Sequence, residues 1–168
     1  MKLPLTIFVC AGLIMSASAQ AGEMRLNHRF SGVTQQTKID LNEDGVFADL
    51  ISFQMKGSPG NATAQAQGEF HPIEPNPGCD AQSELVYQTF VETFKDGSML
   101  FFMTTAGQNC VNFAPLSIEG ELTGIIIGGT GRFVGATGSW MVEFEAFPVG
   151  PTMSATIGNL KGTIVVPD

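Results

Sequence analysis

The chain has 168 residues, 43% of them hydrophobic, with 16 Asp and Glu against 8 Lys and Arg and a formal net charge of −8. That acidity repels a phosphate backbone and excludes nucleic acid as a partner. The length suits one domain with a core of its own.

The first predicted element is a leader. Lys2, the apolar run over residues 5–15 (LTIFVCAGLIM) and the small residues at 16–21 follow the plan of a secretory signal peptide. Cleavage is expected after Ala19 or after Ala21, each of which ends an A-x-A triplet. The run is shorter than the roughly 20 apolar residues that span a bilayer, which argues against a membrane anchor. Ile7, Phe8 and Val9 precede Cys10 where a lipid-anchor signal has small residues. The mature protein is therefore expected to be secreted or periplasmic, one domain over 22–168. Loss of Lys2 takes its net charge from −8 to −9.

No 3.6-residue apolar period follows the leader. Short runs rich in Phe, Val, Ile and Thr alternate with Gly, Pro, Asn and Asp, the pattern of strands and turns. In order, the predicted strands are MRLNHRFSGVTQQTKIDL (bulged at Gly32), VFADLISFQM and NATAQAQGEF. After the irregular HPIEPNPGCDAQS come ELVYQTFVETF, SMLFFMTTA, PLSIEGELTGIII, TGSWMVEFEAF and SATIGNLKGTIVV. About eight antiparallel strands predict an all-β, closed β-barrel, since closure removes exposed edges.

Alternation marks the faces. Trp140, Val142, Phe144 and Ala146 share one side of their strand, as do Ala62, Ala64 and Ala66 on theirs. SMLFFMT is apolar on both faces, with Met99, Phe101 and Met103 opposite Leu100 and Phe102. Such a strand needs a second cover, and a homo-oligomer interface would supply it. An outer-membrane barrel needs aromatic girdles. With one Trp, one Tyr and Phe residues away from strand ends, membrane insertion is not expected.

Cys79 and Cys110 are the two cysteines left after the leader, which predicts one disulfide in an exported protein. A metal or redox pair is the alternative, but there is no C-x-x-C and no neighbouring ligand completes a set.

DLNEDGVFAD, residues 40–49, places Asp40, Asn42, Asp44 and Asp49 as oxygen ligands of a candidate calcium loop, with Gly45 at the bend. Ile51 stands where an EF-hand would carry Glu, and the same residues are ordinary choices for a hairpin turn. No cofactor other than calcium is expected.

His28 lies between Leu26 and Phe30 on one strand face, the setting of a core-edge histidine more than of a base. His71 precedes Pro72 in a stretch near the cysteines. Asp49 shares a face with Phe47, Ile51 and Phe53. If that face lines the interior, its carboxyl can act as an acid; if it points outward, it is solvated.

GGTGRFVGATGSW, residues 128–140, has two readings. A phosphate loop would need a helix after it, whereas SWMVEFEAF, beginning at Ser139, alternates with period two. A β-corner suits it better: Gly128, Gly129 and Gly131 permit a sharp turn, Phe133 plugs a barrel end, and Gly135 and Gly138 admit close packing. TGIIIGGTGRFVGATGSW resembles the signature of the allene oxide cyclase and dirigent superfamily over residues 120–140. The chain is similar in particular to its small exported bacterial members. The resemblance implies an eight-stranded antiparallel barrel, often oligomeric, with an apolar cavity. It carries over no active-site residue, because no catalytic motif matches outside the glycine corner.

Two functions are expected on these grounds. One is an exported barrel that binds a small apolar ligand or a protein partner. The other is a cyclase or dirigent-type protein that orders a reactive substrate in a shaped pocket, where few polar groups are needed.

Overall fold

A computed structural model describes residues 22–40, 43 and 45–168. The predicted signal peptide, with both cleavage positions, lies outside the described residues. So do Leu41, Asn42 and Asp44.

Eight strands close into one antiparallel barrel in chain order. They are β1 (Gly22–Gln36), β2 (Asp49–Ser58), β3 (Ala62–Ile73), β4 (Ala81–Phe94), β5 (Met99–Phe113), β6 (Leu116–Gly129), β7 (Thr137–Gly150) and β8 (Met153–Val166). β1 pairs with β8 along most of its length, from Gly22↔Val166 to Gln35↔Met153. No edge is left unpaired, which is how an antiparallel sheet of this size avoids templating another chain.

The interior follows from the period-two pattern. Trp140, Val142 and Ala146 are buried on β7, with Phe144 packed beside them, while Glu143, Glu145 and Phe147 are exposed. Phe90 and Phe102 stack with centroids 4.1 Å apart, and Trp140 meets Phe90 edge-on at 5.1 Å. Glycine makes room for this aromatic cluster: a Cβ at Gly124 would lie 2.4 Å from the Trp140 ring. A side chain there would push the indole out of the core.

One end is sealed. Gly131 and Gly135, at φ +59° and +74°, bracket a 3-10 turn over Gly131–Phe133 that tucks Phe133, wholly buried, under the barrel end. Phe133 packs on Phe94 at 4.9 Å, and the Arg132 guanidinium lies 4.7 Å from the Phe133 ring and 5.0 Å from Phe94. Thr130 ties the corner to β5: its N–H donates to Met99 O, and its hydroxyl accepts from Met99 N–H. The glycine-rich segment leads into β7, with no helix after the turn.

The other end carries the β1–β2 loop (residues 37–48), the β3–β4 loop (74–80) and the short β5–β6 and β7–β8 turns. A Cys79–Cys110 disulfide pins the β3–β4 loop to β5. By loop entropy such a bond contributes roughly 3–4 kcal/mol.

Strand limits differ from the sequence reading in places. β1 is continuous through Gly32 and stops at Gln36. Gly32 serves close approach instead of a bulge, since a Cβ there would lie 1.9 Å from Ser52 O. Residues 71–73 continue β3, and 81–83 begin β4. Register shifts leave an extra residue at Val86 on β4, Thr105 on β5, Ile127 on β6 and Val149 on β7.

Candidate functional site

The barrel encloses a cavity of about 360 Å³ between the aromatic cluster and the loop-bearing end. Six rings line it: Phe30, Phe53, Phe70, Phe90, Trp140 and Phe144. Phe30 and Phe53 face each other at 4.6 Å. Ala64 and Ala66 line the β3 side, and these short side chains leave the space open. The volume lies in the ordinary range for small-molecule sites, roughly 300–1,000 Å³.

Polar groups gather toward the mouth, where Thr34, Gln36, Asp49, Ser154 and Thr156 join the lining. The Thr34 and Thr156 hydroxyls bond one another at 3.1 Å. Deeper in the cavity, Gln88 Oε1 accepts from the Thr104 hydroxyl. Asn109 also lines the cavity, and its buried Oδ1 has no hydrogen-bond partner.

Among the described residues Asp49 is the only acidic one in this lining, and none of the lining residues is Lys, Arg or His. Burial pushes its carboxyl from 3.8 up to about 6, and no hydrogen bond or cation contributes to the shift. Of the two alternatives for Asp49, the structure has the inward one. Ile51 and Phe53 line the cavity with it, whereas Phe47, in the preceding loop, is exposed.

Of the remaining candidate calcium ligands, Asp40 lies outside this lining. Asp40 accepts from Gly45 N–H at 2.8 Å, which closes the loop as an aspartate turn. Asn42 and Asp44 lie outside the described residues. Among the described residues no group of three or more His, Cys, Asp or Glu is arranged to hold a metal ion.

His28 is fully buried beneath the sealed end and lies outside the cavity lining. Its Nδ1 lies 3.2 Å from Glu92 Oε1 and its Nε2–H donates to Gly60 O at 2.8 Å. Burial opposes charge on this ring. The Glu92 hydrogen bond and charge, with the Gly60 carbonyl, outweigh it and raise the His28 pKa. His71 bonds Glu69 Oε1 at 3.0 Å on β3. Glu92 was missed by the sequence reading, although it shares a face with Phe90 and Phe94. An acid between two core phenylalanines was the available signal.

No protein-family model matches the sequence, and no curated protein matches it significantly. Among solved structures, the pterocarpan synthase dirigent protein GePTS1 is similar with a TM-score of 0.50 and 17% identity, covering 89% of this chain and 87% of that one. The pterocarpan synthase dirigent protein PsPTS1 has a TM-score of 0.47 and 18% identity, with 87% and 96% covered. The likeness to GePTS1 establishes the architecture: this chain folds as a dirigent-like barrel.

Proposed function

We propose that the protein is an exported carrier or receptor whose barrel interior binds a small, largely apolar molecule. The carrying observation is the cavity of about 360 Å³ with its wall of six aromatic rings. Burying a ligand there removes apolar surface on both sides at roughly 25 cal/mol per Å². The disulfide suits an oxidising compartment, and no helix among the described residues is long and apolar enough to cross a membrane. Mass spectrometry of solvent extracts from protein purified from its native host tests the reading. A bound apolar compound at near one per barrel supports it; a barrel that holds nothing and takes up no apolar probe refutes it.

A second reading is dirigent-type steering, in which the cavity orders a reactive substrate. Asp49 favours it, since a carboxyl titrating near 6 can exchange a proton at neutral pH. GePTS1, a pterocarpan synthase, uses the same architecture. Loss of product stereoselectivity in Asp49→Asn, with ligand affinity kept, would separate steering from simple binding.

The outer face of β5 and β6 is read as a subunit interface. Met103 and Ile125 are cross-strand partners, 39% and 40% exposed, and Ile127 beside them is 54% exposed. Light scattering on Ile125→Glu/Ile127→Glu should give the monomer mass, against an oligomer for the parent. A parent that is itself monomeric removes this interface.

A further inference from the structure

The cavity is apolar over most of its wall, yet Asp49 presents a carboxylate to it with no cation to balance the charge. A half-buried carboxylate without a counter-charge carries a desolvation cost. Nothing in the fold demands an acid at this position. In the ladder Asp49 stands between Gln36 on β1 and Gly68 on β3, and neither neighbour supplies a charge. Nearby, the Thr34 and Thr156 hydroxyls satisfy one another. On the same wall the buried Asn109 Oδ1 has no hydrogen-bond partner. The lining thus offers a carboxylate without a counter-charge and an unpartnered amide oxygen, and the complement to both is a donor, preferably cationic.

We propose that the ligand is an amphiphile with a protonated amine, its ammonium group held by the Asp49 carboxylate near the mouth and its apolar body lying against Trp140 and Phe90. This deepens the cavity reading above and rests on it. A charge-assisted hydrogen bond inside a low-dielectric wall is roughly twice as strong as a neutral one, so an amine outcompetes an equally long alcohol. A carboxylate of the same length meets like charge and is rejected.

Trp140 is the only tryptophan of the chain and lines the cavity, so its emission reports occupancy. The test titrates the mature protein with octylammonium, 1-octanol and octanoate at pH 8 in about 0.15 M salt, where remote charges are screened. Octylammonium is expected to bind at least ten-fold tighter than octanol, with octanoate weakest. Asp49→Asn should bring amine and alcohol to within two- or three-fold. Glu143→Gln, on the outer wall, should leave the ranking unchanged. Equal or tighter binding of octanol to the parent protein overturns the proposal, whether or not Asp49→Asn folds. So does an amine preference that survives in a folded Asp49→Asn variant. If octanol binds and octylammonium gains nothing, the cavity reading stands alone. If none of the three perturbs Trp140, the cavity reading fails with it.

Discussion

His28 Nδ1 lies 3.2 Å from Glu92 Oε1, and both side chains are completely buried. Gly60 O can only accept, so Nε2 carries a hydrogen, and Nδ1 is left facing Glu92 Oε1. The pair joins β1 to β4 across the barrel, and Glu92 favours the charged form of the His28 ring. Removing one partner of such a pair strands the other. Glu92→Ala should lower stability by about 3–5 kcal/mol, while His28→Leu/Glu92→Leu should recover most of that loss. Urea denaturation of the two variants checks it.

The same pair sets a pH dependence. A histidine whose pKa is raised on folding adds stability that is fully present below its unfolded value of 6.5. That stability is lost as pH rises through the raised value. Unfolding free energies measured from pH 5 to 9 should therefore fall across and above 6.5. His28→Gln should flatten this slope.

Asp49 contributes a second slope of the same sign by a different route. Its carboxyl rises from 3.8 to about 6 on folding, so the native state holds its proton more tightly. Stability then declines as pH rises from about 4 to 6, and the ionised group remains a cost above that. Two units correspond to about 3 kcal/mol at most, less where the mouth admits water. Asp49→Asn should remove this slope and be more stable than the parent at pH 7 but not at pH 3.5. Thermal melts at the two pH values separate the outcomes.

Phe133 is the stopper of the sealed end, and Phe133→Ala should cost about 3–5 kcal/mol through the void it leaves. Chemical denaturation measures the loss. Phe133→Leu, which keeps most of the volume, should cost clearly less.

On the outer wall Glu121 faces Glu143, and Glu119 faces Glu145, as direct cross-strand pairs. Like charges so placed destabilise a sheet. Glu143→Lys should raise stability by roughly 0.2–1 kcal/mol at low salt, and the gain should shrink in 1 M salt as screening sets in.

Some of this molecule is legible in its sequence. The inward set Trp140, Val142, Phe144 and Ala146 follows from alternation alone, because β7 has one polar face. The turn around Phe133 could be read because positive φ at Gly131 and Gly135 leaves its mark as glycine. Other features needed closure of the barrel. Asp49 could be assigned to a face with Ile51 and Phe53, but whether that face looked inward depends on the register with β1 and β3. Glu92 meets His28 across a separation of 64 residues, which no local pattern encodes. The bulge at Val86, opposite Glu69 and Phe70, was equally invisible, since β4 holds no glycine to announce it. At Gly32 the reverse happened: a glycine read as a bulge is there because Ser52 and Phe53 crowd it.

Occupancy of the interior is tested most directly by titrating Trp140 emission with a neutral apolar probe, in the parent and in Ala64→Leu/Ala66→Phe, which fills the cavity from β3. The expected result is a saturable, one-to-one change in the parent that is lost in the folded, filled variant. A titration that never saturates, or one unaffected by filling the cavity, would contradict a ligand-binding barrel.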